Sequence, residues 1–292
     1  MNELIKGAYD LHVHSGPDML QRKVDDPELA DRFIEAGLKG YIIKSHYNCT
    51  AERARVVNMF RPECQVYGSI TLNNAVGGIN PMAVEMAGRA GAKTVWFPTV
   101  DSENEQIHFA SSPYKAMPYW AIVQKQMKEE GIDVKTINIL KDGKLMNEVY
   151  EVCDIIAKYN MILATSHISK EETFALVKAA HKAKINKIVI THVTFPATLY
   201  SIEEQKELLK YGAMMEHCYT TISTGKIDKD VMMNQIREIG PENIILGTDL
   251  GQKANVYPDE GLSNFADILQ EEGFTDQEII TMIVKNSNAL IK

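Results

Sequence analysis

Short apolar runs alternate with segments of helical period along most of this chain, and the runs number eight. The first spans Tyr9–His14 and stops at Gly16-Pro17. The others are Gly40–His46, Gln65–Leu72, Lys93–Pro98, Met161–His167, Lys187–His192, Ala213–Tyr219 and Asn243–Asp249. Each is nearly continuous in apolar character, as a parallel strand covered on both faces requires. The helix signals between them are local. Asp26 before Pro27 caps a helix ending near Gly37, Thr50 opens another that ends before Pro62, and Asn80-Pro81 with Gly91 brackets a third. Ser169-x-x-Glu172, Ser201-x-x-Glu204 and Thr275-x-x-Glu278 are capping boxes, where a hydroxyl and a carboxylate satisfy otherwise unpaired amides. Further helices are predicted near residues 119–130, 147–158 and 260–271, and from Asp228.

The rhythm breaks once. From Thr99 to Pro118, through Ser111-Ser112-Pro113, no period is visible, and so long a loop in a compact domain is usually a lid or a binding segment. Asp142-Gly143 between apolar runs then signals a hairpin. Residues 99–146 therefore read as an insertion decorating one domain, residues 1–292. Eight strand-plus-helix units close into a (β/α)8 barrel, an α/β fold, more naturally than into an open sheet. No GxGxxG opens a helix, which leaves a nucleotide-binding open sheet without support.

Bulk properties narrow the partners. Hydrophobic content of 45% and charged content of 24% are ordinary globular values. The net charge of −8, from 31 basic and 39 acidic residues with no basic run, argues against a nucleic-acid surface. Met1–Lys6 has no signal core, and no stretch reaches the ~18 apolar residues of a membrane span. A cytoplasmic protein without a membrane partner is expected, with homo-oligomerisation left open. Cys49, Cys64, Cys153 and Cys218 form no CxxC pair and read as reduced thiols, with Cys49 and Cys218 as buried filler.

Chemistry enters at the strand ends. His12 and His14 point the same way from a strand, and two imidazoles on one face can close on a metal ion. Taken alone, such a pair is as readily the polar face of a half-buried strand. In a (β/α)8 barrel, though, the C-terminal strand ends carry the chemistry. Three residues at each of eight ends make about 24 positions, where chance places fewer than about one histidine. His12, His14, His46, His167, His192 and His217 fall there, leaving His108 and His181 outside. Alternation from His12 puts Asp10 on the inner face, with Ile42, Lys44 and His46 on the second strand and Ile245, Gly247 and Asp249 on the eighth. Glu216 and His217 are neighbours, so only one of them points into the mouth. Lys44, His46, Asn73 and the inward member of the Glu216–His217 pair are expected to contact a small-molecule substrate. Arg53 and Arg55 fall on the exposed side of their helix.

The set His12, His14, His167, His192 and Asp249 resembles the amidohydrolase superfamily of metal-dependent hydrolases. There a His-x-His ends strand one, single histidines end strands five and six, and an aspartate ends strand eight. All five match in type and order. Asn286-Ser287-Asn288-Ala289-Leu290 resembles the Asn-x-x-x-Leu tail common in those proteins. His-Val-His-Ser-Gly-Pro-Asp, Ile-Lys-Ser-His-Tyr and Thr-Asp-Leu-Gly-Gln are similar to an uncharacterised cytosolic subfamily.

The resemblance implies one or two divalent ions, zinc first, with manganese or iron as alternates. His12, His14 and Asp249 would hold one ion. His167 and His192 would hold a second, or His192 would polarise the substrate in a single-ion site. Asp249 would take the proton of a metal-activated water attacking a carboxylic amide, ester or lactone. One departure stands out. Binuclear relatives usually bridge their ions with a carboxylated lysine or a glutamate from strand four, and Trp96-Phe97-Pro98-Thr99 offers neither. Lys44 would supply the bridge if carboxylated; otherwise it is a cation for an anionic substrate, or a lysine reaching solvent. The rival readings are a phosphoesterase on a related barrel, with Lys44 and Arg53 or Arg55 holding phosphate, and a metal-binding barrel without turnover.

Overall fold

A computed structural model describes residues 1–111 and 117–292. Its strands are β1 (Tyr9–Val13), β2 (Gly40–Ile43), β3 (Gln65–Tyr67), β4 (Ser69–Thr71), β5 (Thr94–Trp96), β6 (Leu140–Lys141), β7 (Lys144–Leu145), β8 (Ile162–Ala164), β9 (Ile188–Ile190), β10 (Ala213–Cys218) and β11 (Ile244–Gly247). β1, β2 and β3 pair in parallel, as do β4, β5, β8, β9, β10 and β11 in that spatial order. β3 and β4 are one strand broken at Gly68, whose Cα faces the main chain of Ala51 so closely that an added Cβ would sit 2.3 Å from it. At the other seam, Asp249 N–H donates to His12 O (2.8 Å) and His14 N–H to Leu250 O (2.7 Å), bringing the last strand back to the first. The result is a (β/α)8 barrel, with the β6–β7 hairpin set apart on the insertion.

Two cores follow from strand alternation. Leu11, Ile42, Trp96, Ile162, Ala164, Val189 and Ile245 fill the barrel interior. Ile43, Val95, Leu163, Ile190 and Leu246 face outward against helices such as Asp26–Glu35, Asn147–Lys158 and Lys170–Lys182. The alternation has one interruption. β1 shifts register between Asp10 and Val13, so Leu11 lines the interior, although strict alternation would set it opposite His12. Asp10 does not stand free beneath the histidines. Its carboxylate accepts from His12 N–H and Thr248 N–H, each 3.1 Å, and from the Thr248 hydroxyl.

All three capping boxes form. Asn80 caps its helix through its side chain, and Asp142-Gly143 makes the hairpin turn with both φ positive, 50° and 71°. Thr50 sits at an N-cap but gives its hydroxyl to Ile43 O instead. The aperiodic stretch is corrected: it contains a helix, Glu103–Ser111. Its apolar positions are sparse, so period alone does not reveal it. The middle of the expected loop, residues 112–116, lies outside the described residues. Arg53 is also corrected. It is half-buried, with Nε and Nη2 bound to Asp26 at 3.0 and 2.9 Å and Nη2 also to Ser15 O, so it is committed to the scaffold and unavailable to phosphate. Arg55 is exposed on the same helix, as expected. Cys49 is exposed, whereas Cys218 is buried. Among the described residues, no helix is long and apolar enough to cross a membrane.

Candidate metal centre

Strands β2, β8, β9 and β11 end one to three residues before their functional side chains, and the chain then turns across the mouth. Ser166, His192 and Asp249 hold φ of 57°, 26° and 52° in these turns. Such left-handed conformations cost non-glycine residues of order 1–3 kcal/mol and persist where the surroundings over-determine them.

At this mouth His12 Nε2 and His14 Nε2 lie 3.2 and 3.1 Å from Asp249 Oδ1. The edge of a tetrahedron built on ~2.0–2.1 Å metal bonds is about 3.3 Å, so the three atoms are spaced as ligands of one ion. Nearby, His167 Nε2 and His192 Nε2 are 3.2 Å apart, a second such edge. His12 and His192 stack with ring centroids 5.6 Å apart, which joins the two groups. The residues therefore fit a metal ion on geometry and donor type. His14 Nδ1 and His192 Nδ1 are buried with no hydrogen-bond partner among the described residues.

Burial and charge act differently on the individual groups. Burial pushes His14 down to about 3 and His192 and His46 well below the usual imidazole value, favouring the neutral form a metal requires. At His12, burial and Lys44 disfavour the charged ring, but the Glu216 and Asp249 carboxylates outweigh them and raise its pKa. Burial alone would raise Asp249; the His12 and His14 rings more than reverse this and hold it well below the carboxylate range. Asp249 Oδ2 also accepts from the Thr220 hydroxyl at 3.0 Å.

The expected substrate contacts divide. Lys44 is buried and inward, with Nζ 2.8 Å from His12 Nε2 and 4.3 Å above the Trp96 ring. Burial lowers its pKa. His46 is half-buried, packs on His14 at 4.9 Å between ring centroids and meets Thr99 Oγ1 through Nδ1 at 2.9 Å. Glu216 resolves the β10 ambiguity by pointing inward, yet it lies behind His12 rather than at the mouth. Both its carboxylate oxygens are 3.2 Å from His12 Nδ1, and it accepts from His192 N–H at 3.1 Å. With 1% exposure it holds His12 in place and does not reach the mouth, contrary to the expected substrate contact. Gly247 makes room for it, since a Cβ there would stand 3.3 Å from His12 Cβ and 3.5 Å from Glu216 Oε1.

His217 is withdrawn too. It points off the other face, with Nδ1 3.4 Å from Thr194 Oγ1. Asn73 is fully buried. Its side chain accepts from Thr99 N–H and donates to His46 O and Thr99 Oγ1, so both its donors are committed within the fold.

Sequence reasoning missed three contributors. Trp96 was noted only as a non-ligand, but it packs on His12 at 4.6 Å and forms the floor under Lys44. Beside the mouth, Arg22 Nε and Nη2 both donate to Asp18 Oδ2 in a buried pair, and the Ser45 hydroxyl donates to Asp18 Oδ1. Glu105, on the insertion helix, lies 3.0 Å from His167 Nδ1. Inward parity at the end of the fourth strand would have flagged Trp96; no local signal marks Glu105.

Comparison with solved structures finds the same barrel architecture elsewhere. The structure is similar to an amidohydrolase from Pseudomonas aeruginosa, with a TM-score of 0.65, 11% identity, and coverage of 99% of this chain and 96% of the other. It is similar as well to an organophosphorus hydrolase from Deinococcus radiodurans (0.62, 12%, 98% and 92%) and to a dipeptidase AC, a metallopeptidase (0.61, 10%, 98% and 98%). At such identities the likeness is one of fold. By sequence, residues 7–216 match the model of a family of unknown function, DUF6282, and the chain belongs to that family. No curated protein matches it.

Proposed function

We propose that this protein is a metal-dependent hydrolase that adds water across a carboxylic amide, ester or lactone of a small molecule. The observation carrying this reading is the convergence of His12 Nε2, His14 Nε2 and Asp249 Oδ1 at ligand spacing at the mouth of the barrel. That similar barrels include an amidohydrolase, an organophosphorus hydrolase and a metallopeptidase supports hydrolysis as the reaction class. A divalent ion, zinc first and manganese or iron as alternates, supplies a water of lowered pKa and an electrophile for the acyl oxygen.

The chain's own groups do the rest. His12, His14 and Asp249 would hold the ion. His167 and His192 hold a second, or His192 donates to the acyl oxygen of the substrate. Asp249, with 15% side-chain exposure, accepts the proton of the attacking water and passes it to the leaving group. Lys44 would serve the same centre as an anionic ligand if carboxylated, its neutral amine adding carbon dioxide and losing a proton, or as an amine that binds an anionic substrate. Free thiols at all four cysteines fit a reducing compartment, the cytoplasm.

The protein as purified is expected to carry one or two zinc equivalents and to turn over members of a lactone, ester and amide panel. Asp249→Asn should lower kcat at least about 10²-fold with the fold intact. Full activity in that variant, or in metal-stripped protein, would overturn the reading. Lys44→Ala should cut metal stoichiometry if the carbamate bridges, and raise KM alone if the amine binds substrate. An unchanged variant would remove Lys44 from the mechanism.

A further inference from the structure

We propose that the insertion after β5 is a working part of the metal centre: Glu105 fixes the tautomer and orientation of His167, and Ser102 and Asn104 clamp the main chain beneath it. The inference rests on the metal reading above and extends it to a segment outside the strand-end pattern.

Three side chains within four residues converge on one histidine. Glu105 Oε2 lies 3.0 Å from His167 Nδ1, with both side chains nearly inaccessible. The Ser102 hydroxyl donates to His167 O at 2.8 Å. Asn104 Nδ2 donates to the same oxygen at 3.0 Å and to Ala197 O at 2.9 Å. Asn104 thereby ties the His167 turn to the segment following His192. From the other side, His167 N–H donates to Pro98 O at 3.1 Å, just before the insertion begins.

A neutral imidazole carries one proton. A carboxylate beside Nδ1 holds that proton there and leaves Nε2 a bare lone pair, the form a metal ligand needs. His192 supplies the complement in the metal-free protein. Its Nδ1 has no partner, whereas its Nε2 stands 3.2 Å from His167 Nε2, so its proton belongs on Nε2, donated to His167. The chain runs from Glu105 carboxylate to His167 Nδ1–H, and from His192 Nε2–H to His167 Nε2. Without Glu105, only the donated His192 Nε2–H would oppose a proton on the His167 nitrogen that faces the centre, and Nδ1–H would lose its acceptor.

The experiment uses the full chain, with zinc as the probe. In metal-free wild type, 15N imidazole shifts should report His167 as the Nδ1–H tautomer and His192 as Nε2–H. Glu105→Ala should move His167 to Nε2–H. It should also weaken the zinc step that survives in a His14→Ala background about 10–100-fold, the usual loss on removing such an orienting partner. Glu105→Gln keeps an acceptor and should retain the tautomer with a smaller loss, and it serves if the alanine variant does not fold. A purely structural role would lower Tm while leaving the tautomer unchanged, and that result overturns the proposal. So does an Nε2–H His167 in wild type, or zinc affinity unaltered by Glu105→Ala. If no zinc binds any variant while His167 is Nδ1–H and depends on Glu105, the metal reading fails and the positioning role stands.

Discussion

Asn73 shows how a residue in the right place can be in the wrong role. Its position after the third strand marks it for the mouth, but its amide is consumed by His46 O and Thr99. Asn73→Ala would leave the Thr99 amide without its side-chain acceptor in a buried site, costing about 1–3 kcal/mol. The expected outcome is a lower Tm with KM unchanged; a raised KM at unchanged Tm would return Asn73 to substrate binding. The histidines, by contrast, were legible. Five inward-aimed imidazoles at strand ends are hard to place by chance, and His12, His14, His46, His167 and His192 do meet at the mouth. Glu216 and His217 were beyond reach, because adjacent residues on a strand are told apart only by the absolute facing of that strand, which its pairing with β9 and β11 sets.

Among the elements, the helices with capping boxes or Asn-Pro starts were readable, since their signals lie within four residues of the terminus they stabilise. Helix Glu103–Ser111 was not, because it is held by what it touches in space. Helix Ala51–Phe60 illustrates the same limit through Arg53. Its guanidinium reaches across to Asp26 at the start of helix Asp26–Glu35, and the Ser15 hydroxyl bonds the same carboxylate. Arg53→Met would strand a carboxylate whose side chain is only 4% exposed, and breaking such a pair costs about 3 kcal/mol or more. Denaturant unfolding should register that loss, and adding Asp26→Asn to Arg53→Met should recover part of it. Equal midpoints for wild type and Arg53→Met would mean that the pair contributes nothing to the joint between the two helices.

Across the whole molecule, His12 and His14 lie at the end of the first barrel strand and Asp249 in the turn after the last, so an ion held by all three would fasten the seam where the barrel closes. Two main-chain bonds cross there beside it, Asp249 N–H to His12 O and His14 N–H to Leu250 O. Binding that favours only the folded state adds about 2.7 kcal/mol when free metal is a hundredfold above Kd. Chelation should therefore lower Tm by several degrees in wild type, and far less in His14→Ala. Equal shifts in the two proteins would separate metal binding from closure of the barrel.

The sequence by itself determined the number of strands, their parallel order, the helix starts and the set of ligand-type side chains. Each of these follows from short-range rules: period, capping, and which residue type ends an apolar run. Only the tertiary structure decided that β1 shifts register at Leu11, that Glu216 stands behind His12, that Arg53 is committed to Asp26, and that the insertion places Glu105 on His167. These depend on contacts between residues 27 to 204 positions apart or on the offset between neighbouring strands. No periodicity encodes such contacts, because they are fixed by how the closed barrel packs.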